Sequence, residues 1–210
     1  MAPPAPPRAS APYPRLVTPF LFYAEYHHNS VNQWIHIACV PLLVATGCVL
    51  LGPLNATAAL PAGLRAAAEA AFKRPLPAVS AATLTAGAYS AFYLYLTGGR
   101  PLGWGATAMI AGLCAGAHGF TAALGGFQHA WRPAAALHVA SWLAQFYGHG
   151  VHEKRAPALL DNLGQALFMA PLFVLMEVGF KVGLLRDFQR AVEPEVASRV
   201  RAFKAGSKDA

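Results

Sequence analysis

The chain has 210 residues, of which 56% are hydrophobic and only 12% are charged. A soluble domain carries about 25% charged residues, so this composition argues against a soluble fold and favours lipid as the solvent. The formal net charge is +7, but the basic residues stand singly between apolar segments or in the tail after Phe180. They form no basic patch with interleaved aromatic residues, which argues against nucleic-acid binding.

Taken in chain order, the sequence predicts a short tail, a membrane-embedded domain and a second tail. Residues 1–14 are rich in Pro and Ala and lack the apolar segment of a signal peptide, so they are predicted to be disordered. Residues 15–180 are predicted to lie in the membrane, and residues 181–210 to form a basic cytosolic tail held near anionic headgroups. The membrane domain contains five apolar blocks, at residues 35–51, 78–96, 102–127, 134–147 and 163–180.

The lengths of these blocks limit how many of them can span a membrane. A transmembrane helix needs about 20 apolar residues, and the blocks at residues 35–51 and 134–147 fall furthest short of that. The block at residues 102–127 is rich in Gly and Ala, which let helices approach closely in a membrane. We therefore expect an all-α fold, a polytopic helical bundle with four to six transmembrane or membrane-embedded helices.

The first of two histidine clusters lies at the entrance to the first apolar block. Ionisable side chains at membrane depth are costly and usually mark a site. Ser30 and Gln33 fit a capping box, which predicts that a helix begins at Asn29 or Ser30. On one unbroken helix His27 and His36 would face opposite sides. A break before the helix frees His27 to fold back toward His36.

The second cluster lies at the exit of the fourth block, and each cluster contains a stripe at i, i+4 and i+8. The stripes are His28, Asn32 and His36 in the first cluster, and Gln145, His149 and Glu153 in the second. Imidazoles with a carboxylate are the usual ligands of non-haem Fe(II) in oxygen chemistry. Zinc accepts similar ligands, so the ligand type alone does not choose the metal.

Because the clusters flank two different helices, His27, His36 and His149 are the predicted metal ligands. Further residues are candidates for an additional or supporting role around the metal. These are His28, Asn32, Gln145, His152 and Glu177. Glu177 lies inside the fifth block, where a carboxylate is expected to be buried, either as a hydrogen-bond partner or as a group that orients a ligand histidine.

At these two clusters the sequence resembles the Mpo1-like family. The motifs that carry the resemblance are Tyr26-His27-(4)-Asn32-(3)-His36 and the run from Gln145 to Glu153, followed by residues 155–159. The resemblance implies an Fe(II)-dependent dioxygenase that cleaves the C1–C2 bond of long-chain 2-hydroxy fatty acids with O2. It would serve α-oxidation in phytosphingosine degradation and release CO2 with an acid one carbon shorter. The family's histidines fall on His27, His36 and His149, and Glu153 takes the acidic position as the predicted catalytic residue.

Three other functions stay open at this point. The histidines could bind haem or form a metal-transport path, or the chain could be a zinc hydrolase with Glu153 as its base. A scaffold without chemistry would leave both clusters unexplained. The predicted location is the endoplasmic reticulum membrane for a eukaryotic source and the inner membrane for a bacterial one, with membrane lipid as a partner in either case.

Overall fold

The computed structural model describes residues 11–156 and 163–206, and within these ranges the fold is entirely helical. Residues 1–10 and 207–210 of the two predicted tails lie outside the described residues. The helices are α1 Pro14–Tyr26, α2 Ser30–Leu51, α3 Ala62–Phe72, α4 Ala81–Thr97, α5 Pro101–Ala123, α6 Phe127–Tyr147, a π-helical segment Gly148–Glu153, α7 Leu163–Lys181 and α8 Arg186–Gly206. The predicted all-α class is confirmed.

Helix α2 is the central element of the bundle. It packs against α4, α5, α6 and α7, and its N-terminal half also contacts the π-helical segment. One apolar cluster joins α2, α4, α5 and α6 and is built largely from small side chains. Its buried members are Cys48, Val49, Ala82, Cys114, Ala117, Ala130 and Ala134. Small side chains let these backbones approach closely.

Helix α1 was not predicted, although its sequence has a helical pattern. Apolar residues recur at a spacing of three and four and are buried in the main core: Leu16, Val17, Phe20, Leu21, Tyr23 and Ala24. Phe20 lies at the centre of this core, and its ring meets Phe173, Phe180 and Phe188 edge to face. Because α1 is buried against α7 and α8, its C-terminal end is held firmly at the first histidine cluster.

The segment predicted as a basic cytosolic tail, residues 181–210, is largely helical in its described part. Most of it forms α8, and the side chains of Phe188 and Val192 are 0% and 2% exposed in the main core. Helix α8 packs against α1, and most of its basic residues are exposed. Apolar residues on one face and basic residues on another make α8 amphipathic. The net positive charge of the segment, taken alone, did not indicate this helix.

The number of membrane spans is smaller than the predicted four to six. Among the described helices, α2 and α5 are long and apolar enough to cross a membrane. Residues Ala166–Lys181 and Arg186–Ala205 form a pair bent by 106° that makes a third span if the pair counts as one. Helix α4 has only 17 residues, and α6 carries Arg132 and polar residues that line the site. Two or three such helices indicate membrane association.

Candidate metal centre

The chain breaks its helical path between α1 and α2, as the sequence predicted. The side chain of Asn29 accepts a hydrogen bond of 2.9 Å from the backbone N–H of Val31, so Asn29 caps α2. The predicted cap, Ser30, is instead the first residue of the helix. Gln33 donates to the carbonyl oxygen of His27 at 2.9 Å. This bond folds the connection back along α2 and turns the His27 ring toward the helix.

His27, His36 and His149 come together at one point. Their ligand nitrogens all lie within 4.8 Å of one another. The ring centroids are 4.4 Å apart for His27 and His36, 4.7 Å for His27 and His149, and 5.0 Å for His36 and His149. All three side chains are buried. We call these three residues the histidine triad.

Backbone carbonyls orient two of the triad rings. The Nδ1 of His27 lies 2.8 Å from the carbonyl oxygen of Tyr23, and the Nδ1 of His36 lies 3.0 Å from that of Asn32. A carbonyl oxygen only accepts, so each Nδ1 carries the proton and each Nε2 keeps its lone pair for a metal. The Nδ1 of His149 is buried and has no hydrogen-bond partner among the described residues, which fits a group completed by a bound ion.

The electrostatics keep the triad in the form that binds metals. Burial, and then the neighbouring rings of His36 and His149, lower the pKa of His27 well below its usual value. Burial lowers the pKa of His149 to about 3. Both imidazoles are therefore neutral at physiological pH, and a neutral imidazole is the form that ligates a metal. Three such ligands on one side of an ion fit iron and zinc alike.

Glu153 is buried near the triad, but its carboxylate contacts other residues. Its Oε1 accepts from the backbone N–H of Asn29 at 2.8 Å and from the Nδ2 of Asn32 at 3.1 Å. Its Oε2 lies 2.7 Å from the Nδ1 of His28. The carboxylate thus binds the positive end of α2 and ties that helix to the π-helical segment. Glu153 thus contacts Asn32, whose carbonyl oxygen orients His36.

The other predicted site residues fall into two groups. Asn32 and Gln145 are buried next to the triad, and Gln145 donates to the carbonyl oxygen of Ser141 at 3.2 Å. His28 faces Glu153, and the ring of His152 packs on Tyr147 at 5.6 Å between centroids. Glu177 is buried in α7. His28, His152 and Glu177 do not belong to the triad.

An apolar cavity of about 260 Å³ begins at the triad. The triad and Gln145 form its polar end, and most of the remaining wall is aliphatic or aromatic. Within that wall the ring of His138 is already satisfied, because its Nδ1 lies 2.8 Å from the Oγ1 of Thr46 and its Nε2 accepts from Trp142 at 3.2 Å. His138 therefore supports the wall and leaves ligation to the triad.

Two residues that the sequence reasoning missed shape this site. The ring of Tyr23 lines the cavity and stacks on His27, with centroids 4.0 Å apart and planes 15° apart. Its hydroxyl is buried and has no hydrogen-bond partner among the described residues. Gly148 lies where the π-helical segment meets α2. Tyr23 could have been identified from the sequence, because it stands four residues before His27, which is about one helical turn.

Gly148 allows the close approach of the two triad-bearing elements. A Cβ at this position would overlap the Oδ1 of Asn32 and come within 3.2 Å of the Cδ1 of Ile35. We expect Gly148→Ala to push His149 away from His36 and to weaken metal binding by about tenfold or more, since a ligand displaced by a fraction of an ångström loses its bond geometry. Metal affinity by competition with a chelator measures the effect.

Gly150→Ala is the matched control, because a Cβ at Gly150 meets nothing within 4 Å. It makes the same substitution in the same π-helical segment and is expected to leave metal affinity within about twofold of wild type. Equal affinities in the two variants would show that the Gly148 contact does not matter to the site.

Comparison with known proteins places this site in a family. The profile of a family described as 2-hydroxy-palmitic acid dioxygenase Mpo1-like matches residues 14–182. The 2-hydroxy-palmitic acid dioxygenase MPO1 of Saccharomyces cerevisiae is 29% identical over 189 residues, which cover 87% of this chain and 90% of the yeast protein. No solved structure matches the chain significantly. The matched residues include all of α1 to α7 and the whole triad, and the chain belongs to the Mpo1-like family.

Proposed function

We propose that this chain is an iron(II)-dependent dioxygenase that acts on long-chain 2-hydroxy fatty acids. The reaction consumes one O2 and breaks the C1–C2 bond. It converts the substrate into CO2, water and a fatty acid one carbon shorter, so that C2 is oxidised to the new carboxyl carbon. The yeast relative is named for 2-hydroxy-palmitic acid, and the same substrate class is proposed here.

The observation that carries this proposal is the convergence of the triad at the polar end of an apolar cavity. Bound to the triad, ferrous iron supplies electrons for O2 reduction and open coordination positions for the hydroxyl and carboxylate of the substrate. The chain would hold the ion with His27, His36 and His149, and two backbone carbonyls fix the tautomers of His27 and His36. The apolar wall excludes water and accommodates the acyl chain, which contributes about 0.8 kcal/mol for each buried methylene.

Haem binding is less compatible with this arrangement. Axial haem ligands stand on opposite faces of a porphyrin, whereas the triad rings have centroids 4.4 to 5.0 Å apart. That spacing leaves no room for a macrocycle between any two of them. A zinc hydrolase needs a general base beside the metal. The base considered for that reaction, Glu153, accepts at Oε1 from Asn29 and Asn32, and its Oε2 lies 2.7 Å from the Nδ1 of His28, so its carboxylate is directed at these residues.

The direct test uses the purified chain in detergent, loaded anaerobically with ferrous iron. We expect stoichiometric iron, no Soret band, and oxygen uptake that depends on 2-hydroxypalmitic acid and matches the pentadecanoic acid formed. Palmitic acid, which lacks the 2-hydroxyl, is the control substrate and should support no uptake. Zinc-loaded protein with equal or greater turnover would reject the iron assignment.

The free hydroxyl of Tyr23 gives a prediction about substrate orientation. We expect this hydroxyl to donate to the polar head of the substrate, so that Tyr23→Phe lowers kcat/KM by about tenfold to a hundredfold, as for one hydrogen bond to a charged group. Iron content should not change, because phenylalanine keeps the stacking on His27. Removal of an unsatisfied buried hydroxyl should leave the substrate-free melting temperature unchanged or slightly higher.

Tyr89→Phe is the matched control for Tyr23→Phe. Tyr89 lines the same cavity, but its hydroxyl already donates to the carbonyl oxygen of Leu167 at 3.1 Å. The kcat/KM of Tyr89→Phe is expected to stay within about threefold of wild type, because one partly exposed hydrogen bond contributes little. If Tyr23→Phe keeps the kcat/KM of the wild type, the hydroxyl of Tyr23 does not bind the substrate.

We further propose that the protein is integral to the endoplasmic reticulum membrane in a eukaryotic source, or to the inner membrane in a bacterial one. The apolar lengths of α2 and α5 support membrane insertion, and a substrate with a long acyl chain is available in the same bilayer. Phytosphingosine degradation is the corresponding source of 2-hydroxy acids.

A further inference from the structure

One face of α2 forms a continuous wall of the cavity. The residues His36, Val40, Leu43, Gly47 and Leu51 line it at successive steps of three and four. This spacing keeps them on one side of the helix. The wall therefore runs from the triad near the start of α2 to the last residue of that helix, parallel to the direction in which an acyl chain attached at the triad would extend.

Packed apolar side chains line the far end of this cavity. Leu51 packs against the apolar cluster that contains Cys48 and Ala82. Cys48 and Ala82 also line the cavity and are 8% and 0% exposed. The cavity opens elsewhere, since Phe146 on α6 and Leu167 on α7 line it and are 42% and 39% exposed. A chain can thus enter between α6 and α7 and then meets the packed side chains around Leu51.

We propose that Gly47 and Leu51 determine which acyl-chain lengths this enzyme accepts, an inference that rests on the proposed function. Gly47 lies in the middle of the lining face of α2. A Cβ at Gly47 would meet nothing within 4 Å, so the missing side chain leaves open space for the substrate. Leu51 forms the floor, and the distance from the triad to Leu51 sets the longest chain that fits.

The dimensions match a long-chain acid. His36 and Leu51 lie on the same 22-residue helix, and a rise of 1.5 Å per residue separates them by about 22 Å. An extended hydrocarbon advances about 1.3 Å per carbon, because its C–C bonds are about 1.5 Å long and meet at tetrahedral angles. The wall therefore accommodates about 17 carbons. Gly47 lies about three quarters of the way along it, beside the distal methylenes of such a chain.

The test compares kcat/KM for 2-hydroxydodecanoic, 2-hydroxypalmitic and 2-hydroxyarachidic acids. Gly47→Leu fills the cavity and is expected to raise the ratio of the dodecanoic to the palmitic acid by about tenfold or more, in the range of excluded methylenes. Leu51→Ala deepens the floor and is expected to raise the ratio of the arachidic to the palmitic acid. The two variants thus move the preference in opposite directions.

Gly112→Leu is the matched control. Gly112 lies on the exposed face of α5, and a Cβ there meets nothing within 4 Å. It places the same side chain on another membrane helix outside the cavity, so all three substrate ratios should stay at the wild-type values. Iron content, measured for every variant, reports an intact triad independently of turnover.

The outcomes separate this inference from the function on which it rests. If the wild type turns over none of the three acids, the proposed function fails, and the chain-length inference falls with it. Wild-type turnover with unchanged ratios, or a uniform loss on all three acids, in Gly47→Leu and Leu51→Ala overturns only the chain-length inference. Should Gly47→Leu fail to bind iron, the direction of the shift in Leu51→Ala decides.

Discussion

His149→Ala is expected to abolish stoichiometric iron binding and to lower turnover of 2-hydroxypalmitic acid by about a thousandfold or more, since it removes one of three metal ligands. The triad takes its ligands from separate elements, and His149 is the ligand that the π-helical segment contributes. The remaining pair, His27 and His36, leaves an ion with too few fixed ligands to be retained. Iron analysis and product formation on the same preparation measure both effects.

His152→Ala provides the matched control. It removes the same side chain three residues away in the same π-helical segment, where His152 packs on the ring of Tyr147 outside the triad. We expect iron content and turnover to stay within about twofold of wild type, as for other substitutions away from a site. If both variants lose iron equally, the triad is not the metal centre.

Glu153→Ala is expected to destabilise the protein by about 3 kcal/mol or more, as when one partner of a buried charged network is removed. The side chain of Glu153 is 0% exposed. Its loss leaves the N–H of Asn29 without its side-chain acceptor, and the Nδ2 of Asn32 keeps only a long bond of 3.5 Å to the carbonyl oxygen of Tyr26. The N-terminus of α2 also loses the negative charge that complements its dipole. Thermal unfolding in detergent should show a clearly lower midpoint, accompanied by weaker iron binding.

Glu195→Ala is the control for loss of a carboxylate elsewhere. Glu195 pairs with Arg199 one turn along α8 with a side chain that is 28% exposed, and partly exposed pairs contribute about 1 kcal/mol or less. A midpoint shift in Glu153→Ala no larger than that in Glu195→Ala would contradict the structural role.

Glu153→Gln separates positioning from catalysis. Glutamine keeps an oxygen that accepts from Asn29 and Asn32, so a positioning residue should retain iron and most turnover in this variant. A catalytic carboxylate, which the sequence predicted here, would retain iron and lose turnover. We expect the first result, because both oxygens of Glu153 face α2 and His28. The second result would restore Glu153 as the catalytic residue.

The residues of the triad could be selected from the sequence for a physical reason. Ionisable side chains are costly at membrane depth, so His27, His36 and His149 stood out against apolar surroundings. The break before α2 was also readable, because side chains such as Asn29 satisfy the free N–H groups at a helix start. Which residue caps the helix depended on side-chain geometry, and Asn29 caps α2 where Ser30 was predicted.

The supporting residues could not be read in the same way. The stripe of Gln145, His149 and Glu153 assumed an α-helical spacing, but Gly148–Glu153 forms a π-helical segment. A wider helical turn changes which side chains share a face. Glu153 therefore meets Asn29, Asn32 and His28 rather than the triad.

By itself, the sequence determined the helical class, the affinity for a membrane and the identity of the three converging histidines, because composition, apolar length and the cost of buried ionisable groups are local properties. Only the tertiary structure decided the rest: the docking of α1 and α8, the smaller number of spans, the position of Glu153 and the cavity along α2. These features depend on which helix faces meet, and packing of complementary surfaces settles that across long separations in sequence.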